Sequence, residues 1–178
     1  MRKIMVLVNE PSDLGAIDVP GSRERRLVVA EDPDARPAAV VSFWVDDVAA
    51  VPDFDGCWIY EVVEHKRWDQ VEPPLSRWVF VVRNPDIDTP TFEERYAHHA
   101  ELARVHHPSI ARYAQDVVQR VLTDGAPWFD GVSELGFWDR EAMVERHYDS
   151  PEGQAIITAD IDGFLDRSGS VAVLGVEQ

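Results

Sequence analysis

Between residues 77 and 176 the spacing of apolar residues changes in one order: two, 3.6, two, two, 3.6, two. "RWVFVVRN" (77–84) alternates as a strand. "DTPTFEERYAHHAELARVHH" (88–107) places Phe92, Tyr96, His99 and Ala103 at the i, i+4, i+7, i+11 spacing of one helix face. "SIARYAQDVVQRVL" (109–122) and "GVSELGFW" (131–138) alternate again. "DREAMVERHY" (139–148) and "SPEGQAIITADIDGFLD" (150–166) read as helix, and "GSVAVLGV" (169–176) closes as a strand. Thr89 or Thr91, Asp139 and Ser150 are the expected helix caps, with Pro90 and Pro151 in the first turns. The order β-α-β-β-α-β leaves few folds: it is the ferredoxin-like split unit, an antiparallel sheet with helices on one face.

The preceding residues repeat the strands without the helices. "KIMVLVN" (3–9), "RRLVVAE" (25–31), "AAVVSFWVDD" (38–47) and "GCWIYEVVEHKRW" (56–68) alternate. Residues 10–24 have no helical period, and "VAAVPDFDG" (48–56) holds at most one turn. The fold expected is therefore α+β, with two tandem ferredoxin-like halves joined at the turn "VEPPLS" (71–76). Residues 1–72 form a degenerate half and residues 73–178 the complete one.

Charge and cysteine content exclude several functions. The net charge is −16, and both parts are acidic, 15 acids against 8 bases in residues 1–72 and 18 against 9 in residues 73–178. Nucleic acid is not an expected partner, because phosphate binding needs a concentrated basic surface. There is no apolar run of membrane-spanning length, and "MRKIMVLVNEPSD" reads as a first strand rather than a leader. The single cysteine, Cys57, fits a reducing cytoplasm. Dinucleotide, P-loop and nucleophile-elbow motifs are absent, and the histidines lack metal-ligand spacing, so no metal is expected.

The candidate chemistry lies in 73–178. Four of six histidines fall in "HHAELARVHHPSIARY" (98–113). His99 shares the semi-buried helix face with Tyr96 and Phe92, where an imidazole is either an acid/base group or a satisfied histidine at the core edge. His98 sits with Glu94 and Glu101. His106 and His107 end the helix, where the helix dipole favours them, although His107 could also serve a site. His65 and His147 read as isolated surface residues. In "GVSELGFW", Ser133, Leu135 and Phe137 suit the helix-packed face, which sends Glu134 with Trp138 to the other. That carboxylate is either paired or shifted toward a catalytic pKa. On the long strand, Arg112, Ala114 and Asp116 alternate with Tyr113, Gln115 and Val117, and either set could face a pocket. Tyr113 is a donor to a ligand or a core aromatic.

The stretches "FEERYAHHAELAR" (92–104), "HHPSIARYAQDVV" (106–118), "FDGVSELGFWD" (129–139) and "SPEGQ…FLDRSGS" (150–170) resemble, in order and spacing, the EthD-domain family of dimeric α/β barrel proteins. Where the family often has His-Ala-Pro, this chain has His99-Ala100-Glu101. The resemblance implies a pocket between sheet and helices and pairing through the sheets, as a homodimer or within tandem halves. It also implies relatives that include polyketide cyclases, muconolactone-type isomerases, dehydratases of aromatic polyketides and haem-degrading monooxygenases. The resulting expectation is a cofactor-independent lyase or isomerase acting on a small hydrophobic aromatic or polyketide-like compound. Its catalytic candidates are His99, Tyr96, Tyr113, Glu134 and His107, converging on one pocket. Arg112, Gln115, Trp138, Phe92 and Trp78 are the candidates for substrate contact. The alternatives are a haem protein with His99 or His107 as axial ligand, and a non-catalytic carrier or accessory protein.

Overall fold

The computed structural model describes residues 1–10, 14, 17–23 and 25–178, so residues 11–13, 15, 16 and 24 of the stretch 10–24 lie outside the described residues. Eight strands form a closed barrel: β1 (Arg2–Val8), β2 (Arg25–Ala30), β3 (Ala39–Val45), β4 (Cys57–Asp69), β5 (Leu75–Arg83), β6 (Ile110–Val121), β7 (Gly131–Phe137) and β8 (Leu165–Glu177). Helix α1 (Thr89–His106) joins β5 to β6. Helices α2 (Arg140–Glu145) and α3 (Pro151–Phe164) join β7 to β8, and a single 3-10 turn at Val48–Ala50 is all the helix described between β3 and β4.

Around the barrel the order is β1-β3-β2-β8-β5-β7-β6-β4, and every pairing is antiparallel. Strands β4, β1, β3 and β2 occupy one arc; β8, β5, β7 and β6 occupy the other. Both arcs thus place their fourth strand beside their first, then the third, then the second. Two seams close the ring: β4 with β6, from Tyr60↔Val121 to Asp69↔Arg112, and β2 with β8 over Val28↔Glu177, Val29↔Val176 and Ala30↔Gly175. Closure occurs within one chain.

Strand alternation then assigns each side chain to the inside or the outside. Met5, Leu7, Val40, Tyr60, Trp78, Phe80 and Val132 fill the interior. On the outside of the C-terminal arc, α1 and α3 bury Phe92, Tyr96 and Phe164 against Val81 and Val117. The outside of the N-terminal arc has no long helix described. Ile4, Val6, Val41 and Phe43 are covered there by connecting residues that include Val19, Val48, Val51 and Phe54. Burial of these two faces is the apolar driving force that orients the strands.

Local signals account for the helix ends. The cap of α1 is Asp88, whose Oδ1 accepts from Thr91 N at 2.9 Å, and not Thr89 or Thr91 as expected: both threonines lie inside the first turn. Asp139 Oδ1 accepts from Ala142 N at 2.6 Å, and Ser150 Oγ from Gly153 N at 2.9 Å. α2 ends at Glu145 rather than near Tyr148, and β8 starts at Leu165 with no loop after α3.

Candidate functional site between the helices and the sheet

A cavity of about 320 Å³ lies between the outer face of the C-terminal arc and helices α1 and α3. Tyr96, His99 and Ala103 reach it from α1, Tyr113 from β6, Ser133 and Leu135 from β7, and Ile157, Ile161 and Phe164 from α3. His107, His147 and Tyr148 close another side, and Arg77 and Arg167 complete the polar lining. Apolar side chains and convergent polar groups share the lining, a combination found in small-molecule sites.

His99 is 9% exposed, and its Nδ1 lies 2.8 Å from Asp160 Oδ2 on α3. An ionised carboxylate only accepts, so Nδ1 carries the proton, and in the neutral ring Nε2 keeps its lone pair. The i, i+4, i+7 face of α1 thus delivers a carboxylate-oriented imidazole to the cavity. His107 Nδ1 donates to His147 O at 2.7 Å, and the two imidazoles are tilted at 44° with centroids 4.5 Å apart. Burial pushes the His107 pKa down to about 4, against the opposing hydrogen bond to His147 O. Burial and the nearby Arg77 lower that of His147 as well. Both rings are therefore neutral at pH 7.

The phenols are joined by a hydroxyl. Tyr96 OH lies 2.9 Å from Ser133 Oγ, which lies 3.4 Å from Tyr113 OH. Burial pushes Tyr113 up to about 12, although the bonds from Ser133 and Gln115 and the charge of Arg67 favour its ionisation. Gly131 makes room for Tyr96: a Cβ there would stand 2.9 Å from the Tyr96 ring and 2.9 Å from Asp116 O.

Of the residues expected to converge, His99, Tyr96, Tyr113 and His107 line this cavity, and Glu134 does not. Glu134 points into the barrel, on the far side of the sheet, as its alternation with Ser133 and Leu135 requires. There it is held by Lys3 Nζ and by Arg26 Nη1 at 2.9 Å. Lys3 also donates to Glu64 Oε1 at 2.9 Å and Asp116 Oδ2 at 3.0 Å. The three carboxylates approach as closely as metal ligands would, and the Lys3 ammonium is their shared cation. Burial alone would raise both acids. Lys3 outweighs it at Glu134, whose carboxyl is held low, while burial and the adjacent Glu134 drive Asp116 well above the carboxylate range.

The expected substrate contacts also divide. Trp78 is buried inside the barrel, with the Lys3 ammonium 5.7 Å from its ring. Arg112 lies at the barrel mouth, where it is paired with Glu177. Trp138 is 40% exposed, because β7 ends at Phe137 and the alternation no longer holds. Phe92 is stacked on Tyr96 at 5.2 Å behind the cavity wall, and Gln115 is buried beneath Tyr113. Sequence reasoning missed Asp160, His147 and Tyr148. Asp160 could have been found from the i, i+3 spacing with Ile157 on the amphipathic α3; His147 lies in irregular chain with no periodicity to read.

Residues 84–168 match the EthD domain family. No curated protein matches the chain in sequence. Among solved structures, the chain is similar to a "putative monooxygenase" of Lactobacillus acidophilus NCFM at a TM-score of 0.57 and 9% identity, covering 99% of this chain and 93% of that one. An "anthrone oxidase-like protein" aligns at 0.59 and 10%, covering 99% and 90%. A "putative chlorite dismutase" aligns at 0.50 and 11%, covering 100% and 95%. At these identities the likeness is one of fold. No helix among the described residues is long and apolar enough to cross a membrane.

Proposed function

Because residues 84–168 carry an EthD domain, we propose that the cavity between α1, α3 and the sheet is the active site of a cofactor-independent lyase or isomerase. Its substrate is a small hydrophobic aromatic or polyketide-like compound. The observation that carries this reading is the His99–Asp160 pair, 2.8 Å apart, on a cavity lined by both apolar and polar side chains. An oriented imidazole with a free Nε2 can remove a proton from carbon beside a carbonyl. A phenol on the same wall can meet the oxygen on which charge develops. Enolisation, loss of water and ring closure all begin with that step. On this reading the N-terminal arc is a second ferredoxin-like half, residues 1–72, that has given up its helices; the matching strand order of the two arcs supports it.

The test is exchange of carbon-bound hydrogen for solvent deuterium, followed by proton NMR with a panel of aromatic β-ketones. The expected result is exchange that falls by roughly 10²–10⁴-fold in His99→Ala, and by less in Asp160→Asn. Exchange that is unchanged in His99→Ala counts against the assignment.

A second reading draws on the same pair. A histidine whose Nδ1 is held by a carboxylate is also suited to ligate haem iron, and one fold neighbour carries the name of a chlorite dismutase. Haem bound there would supply redox chemistry, with Arg77 and Arg167 at hand for its propionates. A Soret band on haem addition, lost in His99→Ala, would favour it.

A further inference from the structure

The chain carries 33 acids against 17 lysines and arginines, yet no aspartate or glutamate is among the residues that line the cavity. The titratable lining is Arg77, Arg167, three histidines and the tyrosines. Arg167 is paired with Asp162 at 2.7 Å, whereas Arg77 is in no ion pair among the described residues. A wall free of carboxylates in so acidic a protein suits a ligand that bears negative charge on oxygen.

The hydrogen bonds beneath Tyr113 give that charge a place. Arg67 Nε can only donate, and it donates to Gln115 Oε1 at 2.8 Å. This fixes the amide, so that Gln115 Nε2 faces Tyr96 O at 2.5 Å and Tyr113 OH at 2.9 Å and donates to both. Ser133 Oγ lies within reach of both phenols, and in each contact either hydroxyl can be the donor. Gln115 Nε2 thus donates to the Tyr113 oxygen from beneath. With that lone pair taken, the phenol's own proton turns either to Ser133 Oγ, 3.4 Å away at the limit of a hydrogen bond, or to an acceptor in the cavity.

Resting on the reading of this cavity as a ligand site, we propose that it binds an oxyanion of the phenolate or enolate class, whose oxygen accepts from Tyr113. Arg67 and Gln115 are the positioning residues that set the direction of that hydrogen bond. Both are remote from the ligand and act only through Tyr113. An enolate oxygen is also what proton removal by His99 would generate, so the ligand class and the proposed chemistry agree.

The probe is 4-nitrophenol, whose phenolate absorbs in the visible, with 4-nitroanisole as the control that lacks the hydroxyl. Wild type is expected to bind the phenolate form, and Tyr113→Phe to weaken it by roughly tenfold or more, as loss of a bond to a charged group does. 4-Nitroanisole should bind both proteins alike. Gln115→Glu keeps the shape but reverses the polarity: its carboxylate accepts the Tyr113 proton. It should weaken the phenolate as Tyr113→Phe does, with near-ultraviolet circular dichroism unchanged. Phenolate binding that is indifferent to Tyr113→Phe or to Gln115→Glu, yet weakened by His99→Ala, overturns this inference alone. Failure of both probes to bind wild type overturns the site and this inference with it.

Discussion

Lys3 Nζ stands among Glu64, Asp116 and Glu134 inside a barrel that is otherwise lined largely by apolar and aromatic side chains, with Trp44 and Trp78 at 5.2 and 5.7 Å. Ionic groups taken out of water hold only while each has its partner. Lys3→Met should therefore lower the unfolding free energy by about 3–5 kcal/mol, read from urea denaturation at pH 7. Two of the three acids it serves respond to pH in opposite directions. Glu134 is held low by Lys3 and Arg26, against its burial, so its contribution is present above its ordinary value near 4.5 and is lost as pH falls through about 2. Asp116 is raised by burial and by Glu134, so its contribution is complete below its ordinary value near 3.8 and is lost as pH rises through its folded one. Asp116→Asn should therefore flatten the decline in stability as pH rises above that ordinary value, read from urea denaturation at a series of pH values. A decline that persists unchanged in Asp116→Asn would show that Asp116 is not its source. The sequence shows that Glu134 lies on the face away from the helices. It does not show Lys3, which is 131 residues away and meets Glu134 only once the barrel closes.

α1 can lie on the sheet because β7 begins with glycine. A methyl group at Gly131 would press on Asp116 O and on the Tyr96 ring, both at 2.9 Å, and the strand cannot yield without breaking its ladder with β6. Gly131→Ala should cost about 1–3 kcal/mol, the usual range for overpacking, as a fall in the urea midpoint. It should also loosen Tyr96 from Ser133, so ultraviolet titration should show one tyrosine ionising more readily than in wild type, where burial holds Tyr96 well above its ordinary value. A stability equal to wild type would mean that α1 can shift outward freely. Most of the elements were legible from periodicity, since burial of one face imposes it: the eight strands, α1 and α3 all lie where the apolar spacing puts them. The exceptions are places where tertiary contacts prevail. β8 extends back to Leu165 because Asp166 and Leu165 pair with Val82 and Arg83 across a bulge, although "DRSG" is polar. α2 stops early because the chain turns back to α1, with Asp149 N donating to His106 O at 3.1 Å, and this turn carries His147 to the cavity. For the same reason half of the candidate site was readable. The α1 face showed His99 and Tyr96 together, while Asp160 needed the packing of α3 on α1.

At the scale of the molecule, pairing of sheets was expected either between copies or within tandem halves, and it occurs within the chain. Each described strand has a neighbour on both sides, so among the described residues no sheet edge is left to recruit a second copy. The two seams are unequal. β4 and β6 pair along most of their length, while β2 and β8 pair over three positions, with flanking bonds from Glu31 N to Leu174 O at 3.0 Å and from Gln178 N to Leu27 O at 2.9 Å. Gly175 lies at the short seam, where a Cβ would stand 2.4 Å from Val29 O, a backbone atom. Gly175→Ala must therefore push the two strands apart. Opening should appear first in the amides of Glu31 and Gln178, because these bonds cross the seam and have few neighbours to hold them. Hydrogen exchange followed by mass spectrometry should show faster exchange there in the variant, with α1 unchanged, since α1 packs on the C-terminal arc and not on the seam. Protection that falls equally at the seam and across α1 would mean that the ring opens only by global unfolding, and that the two arcs have no stability apart from each other.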